Sequence, residues 1–363
     1  MKNLRTNPRC AAAIGALLLA VPIAGRAQSS APPKAAAPPA KKGAAASPRV
    51  SLSPRFVPGQ TFRYEMEFET TTNTRRTGFT SDPEGPSSLV VSWNATVRIE
   101  ILPADEGTKG GVRLRTSYEK SAATVRSDTF DPVAAQTQEQ FHSLEGKVIE
   151  FTLDAGGKVK YVAGLEGIVD SEKAAQSARE WIGQLSASAG APPGGVAVGQ
   201  SWSSEQPADS LPLAGRVWRT DSQYLRNEPC HPPNPDVPAD AAAADAGNSP
   251  SDSQQASDCA VILANLSLAR SKTAGRDQTP EDFRKNGVQS SGKWEGAAQS
   301  LVYVSLDTGM VVSATQSGSQ QMDVTMTSNH ENTSMRHSGS IASRSQVSLL
   351  AGDSQGREPA GSR

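Results

Sequence analysis

From Phe62 to Glu69 apolar and charged residues alternate without interruption: Phe62, Tyr64, Met66 and Phe68 against Arg63, Glu65, Glu67 and Glu69. A strand has a side-chain period of two, so this run predicts one buried face and one wet face. The same alternation runs through Val91, Trp93, Ala95, Val97, Ile99 and Ile101, and again through Val112, Leu114, Thr116 and Tyr118. The polar, glycine-bearing residues 104–111 between these two runs read as a hairpin loop. Ile149, Phe151 and Leu153 lead through Asp154-Ala-Gly-Gly157 to Val159, Tyr161 and Ala163, a second hairpin. Further strands are predicted over residues 217–225, around Ile262, Ala264, Leu266 and Leu268, and over residues 301–306, 310–316 and 322–326.

The period changes in the middle of the chain. Asp131-Pro132 is a helix start, with Asp as cap and Pro at the first helical position, and the helix is expected to run to Leu144 before Gly146. From Ser171, the residues Ala174, Ala175, Ala178, Trp181, Ile182 and Leu185 fall on one stripe at helical spacing. Pro192-Pro193-Gly194-Gly195 then marks a joint between two halves, and the halves echo each other. Gly59-Gln60-Thr61-Phe62 matches Gly199-Gln200-Ser201-Trp202, and Leu153-Asp154-Ala155-Gly156 matches Leu306-Asp307-Thr308-Gly309. The expected fold is mainly β: antiparallel curved sheets in two sheet-rich halves, with one or two helices and an α+β variant as the alternative. The expected units are an N-terminal sheet at 51–165, an amphipathic helix at 166–190 and a C-terminal sheet at 191–330 carrying a flexible insertion at 231–258.

The ends have another character. Lys2, Arg5 and Arg9 precede an apolar run from Cys10 to Gly25 that closes on Gly25-Arg26-Ala27. That order of basic, apolar and small residues reads as a secretory signal over residues 1–27, and the expected location is secreted or periplasmic. The run is shorter than the ~20 apolar residues a membrane span needs, so an integral membrane protein is not expected. Residues 28–50, dominated by Ala, Pro and Lys, read as a disordered linker, and residues 331–363, rich in Ser, Gly, Arg and Gln, as a disordered tail. Removing Lys2, Arg5, Arg9 and Arg26 leaves 32 basic against 37 acidic residues, a net charge of −5. That balance is the wrong sign for nucleic-acid binding. Cys10 leaves with the signal. Cys230 and Cys259 remain as an even pair in an oxidising compartment and are expected to form a disulfide worth about 3.5 kcal/mol in the chain-entropy picture.

The motifs Gly-Gln-x-Phe62, Leu144-Glu-Gly-Lys-Val-Ile-Glu-Phe-Thr-Leu-Asp-Ala-Gly156, Val-Gly-Gln-Ser-Trp202, Cys259-Ala-Val-Ile-Leu and Leu306-Asp-Thr-Gly309 stand in an order that resembles a family of uncharacterised bacterial exported, lipoprotein-like proteins. The resemblance covers roughly residues 56–328. It rests on turns and strand starts, so it implies a fold and carries over no activity and no catalytic residue. The chain lacks the lipid-acceptor cysteine that many such proteins carry at the end of the signal.

Catalytic chemistry finds little support. Gly287-Val-Gln-Ser-Ser-Gly292-Lys293 has most of a phosphate-binding loop, but Trp294 stands where Ser or Thr would hold magnesium, and a polar turn starting a strand is the expected reading. Ser117-Tyr-Glu-Lys120 lacks the companion elements of penicillin-interacting enzymes. Glu139-Gln-Phe-His142 has metal-ligand spacing on a helix, but only one copy is present. Glu65, Glu67 and Glu69 are expected to form a solvated face neutralised across strands by Arg98, Arg113 or Arg115. Asn94-Ala-Thr96 and Asn265-Leu-Ser267 match the glycosylation triplet but fall within strands. No metal and no cofactor is expected.

Two functions are carried forward, with an enzyme whose site is dispersed through the sequence as a residual third. In the first, a curved sheet holds a lipid or other apolar small molecule on its concave face, with Phe62, Tyr64, Met66, Phe68, Trp93, Trp181 and Trp202 as candidate liners or, more simply, as core. In the second, the chain is a structural or interaction module that binds a protein of the cell envelope.

Overall fold

A computed structural model describes residues 48–78, 86–103, 112–128, 132–153, 159–165, 191–192, 194–209, 211–230, 257–329 and 332–350. The expected signal, most of the linker, the 171–185 helix with Trp181, and the body of the 231–258 insertion lie outside these residues. Eleven strands make one antiparallel sheet: β1 (Thr61–Gly78), β2 (Ser87–Leu102), β3 (Val112–Ser127), β4 (Val148–Leu153), β5 (Val159–Ala163), β6 (Ser201–Pro207), β7 (Arg216–Pro229), β8 (Asp258–Arg270), β9 (Val288–Ser305), β10 (Val311–Ser328) and β11 (Thr333–Leu349). Among the described residues there are two helices, α1 (Pro132–His142) and the single-turn α2 (Glu281–Lys285). The strand order is β5-β4-β3-β2-β1-β11-β10-β9-β8-β7-β6, so the sheet is not closed: β5 and β6 are its two edges.

Each half is the same construction. Strands β1, β2 and β3, helix α1, then β4 and β5 are followed by β6, β7 and β8, helix α2, then β9 and β10. The glycine-glutamine turns that open the halves share their bonds. Gly59 N donates to Ile101 O and Gly199 N to Tyr224 O (2.8 and 2.7 Å). The glutamine carbonyls accept from Ile101 N and Tyr224 N (2.9 and 3.0 Å). Each glutamine side-chain oxygen also caps the amide three residues before it, Val57 N and Ala197 N (3.3 and 3.2 Å). Both glycines sit at positive φ, +87° and +82°, where a side chain would be strained. The segments leading into these turns pair with each other through Val50 and Val196, whose amides and carbonyls exchange two 2.9 Å bonds.

The expected disordered tail at 331–363 is corrected over Thr333–Leu349 by β11, which is a central strand; residues 351–363 lie outside the described residues. It pairs with β1 from Tyr64↔Leu349 to Gly78↔Met335 and with β10 from Ser313↔Ser348 to Ser328↔Thr333. The sequence leaves open whether the two halves are separate units or share one sheet; the structure has them in a single sheet, with β11 the strand that joins them. Strands in the second half are also longer than the apolar runs predicted. β9 begins at Val288, and β10 fuses the two short strands expected at 310–316 and 322–326. Gly287 and Gly292 belong to the turn into β9 and to its first residues, not to a phosphate loop.

Helix α1 completes the edge of β3. Strand β4 pairs with β3 only from Val112 to Ser117, which leaves the upper part of β3 without a strand neighbour on that side among the described residues. Gln138 Oε1 accepts from Val125 N (3.3 Å), His142 Nε2 lies 3.3 Å from Ala123 N, and Glu145 Oε2 accepts from Ser121 N (3.2 Å). The three amides are alternate residues of a strand, and the side chains come from one side of the helix and the turn that follows it. His142 is therefore occupied by a strand edge.

Outer-face charges pair differently from the expectation. Arg98 meets Glu100 (2.8 Å), Arg115 meets Glu150 (2.7 Å) and Glu100 (3.7 Å), and Arg113 meets Glu150 (3.2 Å). None of these three reaches Glu65, Glu67 or Glu69, because β2, β3 and β4 bring closer carboxylates. Cys230 and Cys259 form the disulfide at the ends of β7 and β8.

Candidate functional site

The register sorts every strand residue to one face, and the inner face changes character along the strands. At one end it is solid. Tyr64, Met66, Phe68, Trp93 and Trp202 are buried at 3–9% exposure in one cluster, with Phe62 half-buried against it. Trp93 stacks at a tilt on Phe141 of α1 and on Tyr118, with ring centroids 5.8 and 6.5 Å apart. Its Nε1 donates to Ser121 Oγ (2.9 Å), which donates to the Phe141 carbonyl (2.6 Å). Tyr64 Oη donates to Val311 O (3.0 Å). Burial pushes the Tyr64 phenol well above the ordinary tyrosine range and that of Tyr118 up to about 12. Six of the seven candidate liners are thus core residues around which the sheet curls, and Trp181 lies outside the described residues.

Beyond this core runs a belt of buried hydroxyl and amide side chains on six strands. Thr70, Ser345, Gln316, Gln320, Ser300, Ser222, Thr220 and Ser204 are all between 1 and 8% exposed. Several are satisfied locally: Thr70 Oγ1 donates to Ala342 O (3.1 Å), Ser300 Oγ to Thr315 O (3.0 Å), and Gln320 Oε1 accepts from Trp294 Nε1 (2.9 Å). The belt is tight. A cavity of only about 10 Å³ lies among Trp218, Leu266, Gln316, Gly318, Gln320 and Ser343, room for one water at most. A Cβ on Gly296 would stand 3.0 Å from the Trp218 ring and from Gln320, so the backbone there is the wall itself.

Past the belt the inner face is mixed: a second buried cluster of Ala208, Trp218, Ala264, Leu266 and Leu268 lies on and beside β7 and β8, Val324 is buried, and half-buried apolar side chains stand among Thr72, Thr74, Gln320 and Gly339. Leu89, Ile341, Met322 and Trp294 line this stretch, joined across strands by Leu89↔Thr72, Thr72↔Ile341, Gly339↔Met322 and Met322↔Trp294. Small residues on the middle strands leave it shallow. Nothing in the composition of β11 announced this trough; the one signal was the spacing of Met335, Ile341 and Val347 among small residues.

The outer face carries a groove of about 520 Å³ across β1, β11, β10, β9 and β8. Glu67, Glu69, Arg344, Gln346, Thr315, Gln299, Leu301 and Leu263 contribute to its lining. Among the described residues, no group of three or more His, Cys, Asp or Glu side chains is placed to hold a metal ion. No described helix is long and apolar enough to cross a membrane.

The chain is thus a mainly-β protein built on one open antiparallel sheet. No family model and no curated protein matches it. Among solved structures it is similar to one described as "lipid-protein interactions in lipovitellin", at 11% identity and a TM-score of 0.43, over 85% of this chain and 26% of that one. The chain therefore spans about a quarter of that protein's length. It is also similar to the outer membrane protein OprG from Pseudomonas aeruginosa (7% identity, TM-score 0.17, 83% of this chain and 99% of that one). An outer membrane channel from Pseudomonas putida F1 matches at 8% identity and a TM-score of 0.20, over 82% of this chain and 97% of that one. Each TM-score is under one half, and nothing below rests on these likenesses.

Proposed function

We propose that this chain is an exported, non-catalytic binding protein that holds an amphipathic, lipid-like ligand against the inner face of its sheet. The observation that carries the reading is the half-buried apolar trough beyond the polar belt. Here Leu89, Ile341, Met322 and Trp294 face inward with part of their surface uncovered, and such patches mark binding sites more often than chance exposure. Thr72 and Thr74, half-buried on the same face, supply uncharged hydroxyls for the polar end of the ligand. Export is supported by the basic-apolar-small order of residues 1–27 and by the Cys230–Cys259 disulfide, a bond that persists in oxidising compartments.

The test is native mass spectrometry of the protein purified from the envelope of its own cell, with extraction and identification of anything bound. A stoichiometric lipid or apolar small molecule is expected. Ile341→Glu and Met322→Glu, both beyond the core, are expected to abolish that extra mass while leaving the circular dichroism spectrum of the sheet unchanged. A protein that comes off empty, and stays empty when offered envelope lipids, would end this reading and favour a protein-binding role.

A further inference from the structure

The outer groove has its own chemistry. Two cross-strand rows form its floor. One runs Glu67, Gln346, Thr315, Leu301, Leu263, and the next runs Glu69, Arg344, Ser317, Gln299, Asn265. Five strands set about 4.8 Å apart span about 19 Å, so each row is a strip of five side chains of that length. From β1 to β8 the first row passes from carboxylate through amide and hydroxyl to two half-buried leucines, which adjoin the Val261–Tyr303 pair on the next rung. The groove's 520 Å³ is within the range of small-molecule sites.

The charges in it are uncommitted. Glu67, Glu69 and Arg344 take part in no ion pair or hydrogen bond with other described residues. Elsewhere on this face many charges are matched, as in Arg63 with Glu119 (2.6 Å) and the two-pronged Arg336–Asp323 pair (2.7 and 2.6 Å). Two carboxylates and one guanidinium suit neither a polyanion nor a polycation, since Arg344 stands in register with Glu69 and opposes whatever charge the other would attract. They suit a neutral molecule with many hydroxyls. Carboxylates accept from hydroxyls, a guanidinium donates to them, and the amide of Gln346 does both, as does that of Gln299, one of whose N–H groups already donates to Asn265 Oδ1 (3.0 Å). Leu263 and Leu301 offer an apolar patch to the C–H face of a sugar ring.

We infer that this groove binds a neutral carbohydrate chain lying across the strands, with its hydroxyls on the Glu67–Arg344–Gln346–Gln299 side and a ring face on Leu263 and Leu301. The site is on the opposite face from the lipid trough and does not depend on it. The test is calorimetric titration of the full exported chain with three soluble probes: a chitin tetramer, a cellulose tetramer and maltotetraose. Spermidine serves as a cationic control. Saturable binding of at least one oligosaccharide is expected, unchanged when salt is raised, because screening weakens only charge-driven association. Gln299→Ala with Gln346→Ala removes two hydrogen-bonding groups and is expected to weaken binding about tenfold or more. Thr315→Arg fills the middle of the groove and is expected to abolish binding; neither variant touches the core, and both are checked for an unchanged sheet spectrum. Absence of binding to all three sugars at millimolar concentration overturns the inference. So does sugar binding that survives Thr315→Arg, or binding of spermidine alone.

Discussion

At the scale of single residues, the interior combines large aromatics with polar partners placed to receive them. Trp93 illustrates the pattern. Its alternation with Ser92 and Asn94 predicts burial, and it is buried at 6% exposure, but the hydroxyl that takes its indole N–H sits on β3 and the carbonyl behind that hydroxyl on α1. No local pattern links those three positions, so the residue's burial was legible and its hydrogen-bond partner was not. Tyr118, beside Trp93, is also buried, and burial raises its pKa to about 12. A phenol with a raised folded-state pKa stays neutral in the fold while the unfolded chain ionises near 10. Its contribution to stability is whole below pH 10 and is lost as pH climbs towards 12. Phenolate absorbance followed on raising the pH should therefore show Tyr118 and Tyr64 ionising only as the sheet unfolds, in step with the loss of circular dichroism. Smooth titration of all tyrosines near 10 with the fold intact would contradict this.

At the scale of elements, strands with a strict alternation were readable and strands built from small residues were not. β1 shows its two faces from Tyr64 to Thr70, buried and exposed in turn. β11 does not, because its inner positions include Gly339, Ser343 and Ser345 as well as Ile341 and Val347. Gly339 is required there: a Cβ would come within 2.1 Å of the Asn73 carbonyl on β1. A strand that packs closely against its neighbour in this way looks like a disordered tail in composition. Helix α1 was readable at its start, Pro132, but its role along the β3 edge was not, since Gln138, His142 and Glu145 carry no apolar pattern and act through single hydrogen bonds. Each of those bonds is worth about 1 kcal/mol. Amide exchange measured residue by residue should find Ser121, Ala123 and Val125 protected as though paired to a strand. In Gln138→Ala, protection of Val125 should fall by several-fold while Ser121 keeps its own. Equal exchange at Val125 in both proteins would show that the side chain does not cap the edge.

At the scale of the whole molecule, two five-stranded meanders of the same plan lie side by side, and their echo was visible in the glycine-glutamine turns. What holds them in one sheet is β11, between β1 of the first and β10 of the second. Removing residues 333–363 should leave two sheets without a common ladder. Denaturant unfolding of that truncated chain is expected to lose its single sharp transition, with a lower slope and an earlier midpoint. An unchanged transition would mean that the inner core alone joins the halves. The position of β11 also fixes the order of events in assembly. Tyr64 pairs with Leu349, so the central ladder waits for β11, which follows the other ten strands in the chain. Contacts this distant in sequence form slowly. A chain emerging from a ribosome cannot complete this sheet until β11 has followed β1 to β10. Each meander can form its hairpins earlier, but the ladder that makes them one sheet is the last to close.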